Sequence, residues 1–405
     1  MKMKKIVALL LSVVTLSACS SMGQSLGEHW EAIQMEFSKD KKQVENELAV
    51  LKEEVQGNFH YQQLDTEKGR RVYLQFVNGL NKRQEVIDID TVHEEIYTRV
   101  YLSVVNDYPE FYWLVDSLED GIGFSDLTEP YYPSDLTAIS KQLEEKANSI
   151  IAQAPTTSDY DKVKYFYEII IKETDYDIEA FKNNQLSWRT QDITSVLLDK
   201  LSVCAGYSRT FQYLCKKVGI DCIYVTGMTK GSQAENVSHA WNLVKIGEQY
   251  YGVDTTWGDP IFEQAMGGQV YEDISYDYLC IPDSILSRGR VVDADLLSYW
   301  GSEASYEPRD LEYPSCDDNS LNYYAQKGSY FSSFDEASIL QTISNQRAAG
   351  GDRIYLQFAT AEGMDSMVSL ASTENNSIFQ ALGEVESYQY IYNKQTYTFE
   401  LFDWY

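Results

Sequence analysis

The sequence predicts an α+β protein. Helical spacing recurs through residues 30–55, 73–80, 96–100 and 136–170, two strands joined by a tight turn follow one long helix near the middle, and strand and helix patterns mix again beyond about residue 318. At 405 residues the chain has room for two or three domains and a sizeable core.

The first segment reads as targeting. Lys2, Lys4 and Lys5 precede an apolar run over residues 6–16 that is too short to span a bilayer, and Leu16-Ser17-Ala18-Cys19 follows. That tetrapeptide resembles a bacterial lipobox, which implies a lipoprotein signal peptide over residues 1–18 and lipidation of Cys19. The expected location is then extracytoplasmic, with the chain held at the membrane by its N-terminal lipid. Residues 19–58 read as a small, polar tether and an amphipathic helix carrying Trp30, Phe37, Val44 and Leu51. Gly57 ends that helix.

Residues 59–135 form an accessory region. Tyr73, Phe76 and Leu80, then Ile96 and Val100, keep helical spacing, and Glu110-Phe111-Tyr112-Trp113-Leu114-Val115 reads as a buried strand. Asp88, Asp90, Glu94 and Glu95 lack the bend glycine of a calcium loop and are read as a solvated helix start.

Residues 136–315 are the expected catalytic region. A helix over residues 136–153 precedes a second one capped by Ser158. After a polar loop at 183–191, Ser202 is the expected cap of a helix bearing Tyr207, Phe211, Leu214 and Val218, with Lys216 and Lys217 near its end and Gly219 beyond. Cys204 then lies in the first turn, where free N–H groups and the macrodipole favour a thiolate. Residues 237–246 and 249–257 read as a hairpin over the two-residue loop Gly247-Glu248. In that register Ile246 opposes Gln249 and Trp241 opposes Asp254, so His239, Trp241 and Asp254 share a face. Asp254 is diagonal to His239 at about 7 Å between backbones. A three-residue loop would put the two groups on opposite faces. Residues 276–280 are expected as a further strand.

Residues 316–405 read as a small α+β domain. Strands are expected over 323–331 and 353–358, a helix over 335–346, and a terminal hairpin over 387–402 around Asn393-Lys394.

A buried Cys, a strand His or an Asp before Thr-Thr is, alone, more often structural than chemical. Their order and placement here point to chemistry: Cys204 as nucleophile, His239 as base and Asp254 as the acid that orients it. Trp241 sits beside the proposed His–Asp pair, where it either screens that hydrogen bond or simply packs the hairpin. A tetrahedral intermediate also needs donors aimed at its oxyanion, worth about 3 kcal/mol each. The Cys204 N–H is the first candidate and the side chain of Gln191 or Trp188 the second.

Cys204-Ala205-Gly206-Tyr207, His239-Ala240-Trp241 and the run from Asp254 to Asp259-Pro260 resemble the transglutaminase-like superfamily, in particular its bacterial secreted members. The likeness is specific over about residues 155–285 and diffuse from about residue 60 to the end. It implies a papain-like core in which the nucleophilic Cys opens a helix and the His and Asp stand on neighbouring strands, roles that fall on Cys204, His239 and Asp254. Such proteins often carry Gly two residues before the Cys, where this chain has Ser202. The implied activity is protein-glutamine γ-glutamyl transfer to a lysine amine through a Cys204 thioester, acting on proteins with accessible Gln and Lys. A cysteine peptidase or amidase using the same three groups is the alternative. A non-catalytic surface adhesin on the same scaffold predicts a damaged triad, whereas all three groups are present.

The formal net charge of −29 makes nucleic acid an unsuitable partner. The four His residues, at 29, 60, 93 and 239, show no ligand spacing with the cysteines, so neither a metal nor any other cofactor is expected. Cys215, Cys222, Cys280 and Cys316 allow two bridges of unreadable connectivity. Cys215 and Cys222 are expected as free thiols packed as small hydrophobes.

Overall fold

A computed structural model describes residues 41–115, 124–183, 187–230, 237–260, 274–293 and 311–405. The expected signal segment, Cys19 and most of the tether lie outside the described residues. Residues 41–54 are helical and pass through a 3-10 turn, Val55–Gly57. No helix among the described residues is long and apolar enough to cross a membrane.

Helices α1 (Glu67–Asn81) and α2 (Glu94–Asp107) pack on each other. Thr66 caps α1 by accepting from the Gly69 N–H. Val72, Phe76, Val100, Tyr101 and Val104 are wholly buried, one apolar stripe from each helix. The aromatic run after α2 is buried as expected, but it is a 3-10 turn, Tyr112–Leu114, rather than a strand. Burial leaves such a run apolar whatever its backbone, and among the described residues no strand pairs with it.

Helix α3 (Leu136–Ile151) is followed by α4 (Asp159–Glu173), which Ser158 caps at 3.1 Å from the Asp161 N–H. Two short parallel strands, β1 (Asp175–Tyr176) and β2 (Leu201–Ser202), then frame the start of α5 (Cys204–Lys217). Helix α5 packs on α4 and on the central sheet, formed by β3 (Cys222–Thr229), β4 (Ser238–Ile246), β5 (Gln249–Val253) and β6 (Arg290–Val292). The sheet is antiparallel, in the order β5-β4-β3-β6. The polar face of α5 is covered too, because Arg209 donates to the Val105 carbonyl and to Asn106 Oδ1, and Gln212 to the Asn106 carbonyl. These bonds to the end of α2 fix the helical layer against the nucleophile-bearing helix.

The expected strand at 276–280 makes no ladder. Cys280 has φ +53°, and the backbone pairing of this stretch with the sheet among the described residues is the isolated bridge Gly252↔Ile281. Strand β5 also ends earlier than expected, at Val253, because Asp254 folds the chain into a turn by accepting from the Trp257 N–H.

The last part holds β7 (Tyr330–Phe331), α6 (Glu336–Ala348), β8 (Ile354–Phe358), α7 (Ala361–Ala371), β9 (Gln389–Asn393) and β10 (Thr398–Phe402), with sheet order β7-β8-β10-β9. Residues 323–331 are not one strand: Asn322 caps a short helix, Tyr323–Gln326, before β7 begins. Ile339, Ile343, Ile354, Leu356, Phe358, Met367 and Leu401 form this sheet's own core.

Candidate active site

Cys204 is the first residue of α5, as expected, but Ser202 does not cap the helix. Val203 stands at the cap, extended at φ −119° and ψ 179°, with no side-chain hydrogen bond. Ser202 belongs to β2, and its hydroxyl turns inward, 2.7 Å from Ser195 Oγ and 3.1 Å from the Thr190 carbonyl. The Thr190 carbonyl also accepts from the Val203 N–H, which ties the 3-10 turn Trp188–Gln191 to the residue before Cys204. Gln191 is half-buried on that turn. The side chain of Trp188 lies outside the described residues.

The hairpin has the expected register, with Ile246 opposite Gln249 and Asn242 opposite Val253. Gly247 takes φ +62° while Glu248 does not enter that region, so the two-residue loop works because glycine opens it. The ladder ends at Asn242 and Val253, and Asp254, the next residue, turns its carboxylate so that Oδ2 lies 2.7 Å from His239 Nε2. A carboxylate accepts, so Nε2 carries the proton. Nδ1 is then the nitrogen left to meet Cys204, whose side chain is hydrogen-bonded to the imidazole. Cys204 is half-buried, whereas His239 is 5% and Asp254 0% exposed, so only the thiol end of the array opens toward a substrate.

Sequence reasoning missed Arg290. From β6 it donates Nε–H to Asp254 Oδ2 at 2.7 Å, and Nη2 touches the same oxygen as an ion pair. The guanidinium carbon lies 4.5 Å from the Tyr278 ring centre and 5.4 Å from that of Trp257. No local motif marks it, since it reaches Asp254 only through tertiary folding. Tyr176 was also missed. Opposite Ser202 in the β1–β2 ladder, it is buried beside α5, and its hydroxyl is hydrogen-bonded to the Cys204 backbone N–H and side chain.

Burial would pull the His239 imidazole down, but the charge and hydrogen bond of Asp254, with the bond to Cys204, outweigh it and raise the pKa to about 9. For Asp254 burial pushes upward, and Arg290 and His239 outweigh it, holding the carboxyl at about 2. The imidazole is enclosed by Trp241, stacked with centres 5.9 Å apart, and by Trp257, edge-on at 6.4 Å. Trp241 therefore stands against the imidazole as well as in the hairpin core. Asp259 closes a turn onto the Thr256 carbonyl and lies 2.8 Å from the Tyr207 hydroxyl, inside the core rather than toward substrate.

Among the described residues no group of acidic, His and Cys side chains is arranged to hold a metal ion. Cys215, Cys222, Cys280 and Cys316 carry free thiols. The arrangement gives a thiol at a helix start, an imidazole within its reach and a buried, ionised carboxylate behind, which is the chemistry of nucleophilic acyl transfer.

The family model for the transglutaminase-like superfamily matches residues 145–255. Human kyphoscoliosis peptidase is 29% identical over 139 residues, covering 33% of this chain and 20% of its own. The mouse protein of that name is 26% identical over 132 residues, covering 31% and 19%. The chain thus spans about a fifth of the length of these curated relatives. A solved TGase structure is similar at 21% identity over 37% of this chain and 38% of that one, with a TM-score of 0.27.

Proposed function

We propose, from the premise that this chain carries a transglutaminase-like superfamily domain over residues 145–255, that it is a thiol acyltransferase joining glutamine side chains to lysine amines. Cys204 is the nucleophile, His239 the proton carrier and Asp254 the group that orients it. The Cys204 thiolate attacks the carboxamide carbon; the C–N bond breaks as imidazolium His239 protonates the departing ammonia, and a thioester remains. A lysine amine then attacks the thioester and gives its proton to the now neutral His239. The C–S bond breaks, an isopeptide forms and the thiolate returns. The Cys204 N–H, once released by the Tyr176 hydroxyl, is the first proposed oxyanion donor, and the side chain of Gln191 or Trp188 is the second.

The observation that carries this reading is the 2.7 Å His239–Asp254 bond buried behind a half-exposed thiol. The two tryptophans that wall the imidazole exclude bulk water from the proton carrier, which favours capture of the thioester by an amine. The similarity to kyphoscoliosis peptidase favours a second reading, hydrolysis of a peptide bond by the same residues. The proposed substrates are proteins with accessible Gln and Lys, met outside the cytoplasm by a chain tethered through Cys19.

The test is mass spectrometry of casein incubated with the protein and a primary-amine probe, with Cys204→Ala as control. Amine on glutamine, dependent on Cys204, is the expected result. New peptide termini without incorporation would replace transfer by proteolysis, and equal activity in Cys204→Ala would remove the nucleophile assignment.

A further inference from the structure

The proposed reaction asks two opposite things of one imidazole. In its first half His239 must be protonated, to release the leaving amine; in its second half it must be neutral, to take a proton from the incoming nucleophile. A carboxylate buried to 0% exposure resists the second state, because a neutral His239 would leave Asp254 as an isolated interior charge. Arg290 changes this balance. Its Nε–H and the His239 ring meet the same oxygen, Asp254 Oδ2, each at 2.7 Å, and the guanidinium is held in place by Tyr278 and Trp257. The guanidinium stays charged across the working range, so the carboxylate keeps a partner whichever form the imidazole takes.

We infer that Arg290 is a positioning residue that holds Asp254 as a carboxylate independently of His239, freeing the imidazole to give up its proton and act as base in the second half-reaction. This rests on the reading of Cys204 and His239 as the reacting pair. The ionisable groups around that pair come from several elements: Cys204 and Asp254 against the imidazole, Arg290 against the carboxylate, Tyr176 against Cys204 and Asp254, and Tyr167 toward Asp254. Of these, Arg290 is the one cation. Arginine suits the place better than lysine, being planar between two rings and less costly to desolvate.

The experiment follows the His239 ring by NMR of protein with isotope-labelled histidine, titrated with pH in the Cys204→Ala background so that the imidazole is read apart from its reacting partner. Arg290→Gln keeps a donor for Oδ2 and removes the charge; the His239 midpoint should rise by about one unit or more. Arg290→Lys, which keeps the charge, should leave it near the parent value. In the intact enzyme the acid limb of turnover should move up with the midpoint in Arg290→Gln, turnover at neutral pH falling about tenfold per unit. An unchanged midpoint in folded Arg290→Gln would overturn the inference. Should Arg290→Gln not fold, Arg290→Lys decides: a parent-like midpoint supports the charge as the agent, and a midpoint raised by about a unit overturns it. Failure of the underlying reading shows separately, as an unmoved His239 titration when Cys204 is restored.

Discussion

The hydroxyls of Ser195 and Ser202 lie 2.7 Å apart in the backbone crevice that the start of α5 crosses at Gly206. Ser195 donates to the Asp192 carbonyl at 2.6 Å, and both serines are essentially inaccessible to solvent. A Cβ on Gly206 would stand 2.1 Å from Ser202 Oγ and 2.6 Å from Ser195 Oγ. The glycine two residues after the nucleophile is thus a spacing requirement, and the inward-turned Ser202 is what it accommodates.

Gly206→Ala should therefore destabilise despite alanine's better helix propensity. Overpacking costs about 1–3 kcal/mol, against about 1 kcal/mol regained in propensity, and the helix must lift, carrying Cys204 with it. Urea unfolding should show the loss, and activity should fall further than stability. Adding Ser202→Gly removes the nearest clash and should restore part of both; a double variant no better than Gly206→Ala would show that the crevice is not the cause.

Asp254→Asn should be costlier than the loss of one hydrogen bond. It strips the counter-charge from Arg290, a buried cation, for about 3–5 kcal/mol. It also leaves one accepting oxygen where two served His239, Arg290 and the Trp257 N–H, so the proton is no longer held firmly on His239 Nε2. Melting temperature and turnover should both drop, and turnover should stay low at temperatures where the variant is folded. A folded, fully active Asp254→Asn would dismiss the orienting role.

The pH behaviour follows from the same pair. His239 is raised to about 9, above its ordinary value near 6.5. The stability it contributes is then full below about 6.5 and is lost as pH climbs through about 9. Asp254 is depressed to about 2, so its contribution is full above about 4 and lost as pH falls through about 2. Both are complete only between about 4 and 6.5. Urea unfolding across pH 2–10 should show both declines, and His239→Gln should remove the alkaline one, whereas an alkaline decline intact in that variant would place its cause elsewhere.

What the sequence reveals of the site is what local rules control. Cys204 at a helix start follows from the apolar spacing behind it, and the meeting of His239 with Asp254 follows from one turn, since Gly247 sets the register of the hairpin. Arg290 and Tyr176 are illegible because they approach from β6 and β1, and nothing in their neighbours' types records the approach. The errors share a cause. The runs at 110–115, 276–280 and 323–331 are aromatic, the first two largely buried as well, and neither aromatic content nor burial distinguishes a strand from a 3-10 turn, an irregular segment or a short helix. Ser202 was expected as a cap from its hydroxyl, yet a buried partner in Ser195 holds that hydroxyl elsewhere. Helix α7 went unread although its signals are in place, Thr360 accepting from the Gly363 N–H and Met364, Met367 and Ala371 burying at helical spacing.

Asp277 extends the site's support into the C-terminal sheet. At 1% exposure it accepts from the Tyr324 hydroxyl at 2.5 Å, from Thr396 at 2.7 Å, from Thr398 at 2.6 Å and from the Asn393 amide at 3.3 Å. Its neighbour Tyr278 stacks under Arg290, and the Tyr278 carbonyl takes the Asp254 N–H at 3.0 Å. The turn between β9 and β10 is thereby joined, through two adjacent residues, to the carboxylate behind His239. Asp277→Ala leaves three buried hydroxyls and the half-buried Asn393 amide without this acceptor and should cost about 3 kcal/mol or more. Asp277→Asn keeps one accepting oxygen and should cost less. If the junction positions the site, both variants should lower turnover at temperatures where they remain folded, in the order Ala then Asn. Turnover unchanged in a folded Asp277→Ala would make the C-terminal sheet a support for stability alone.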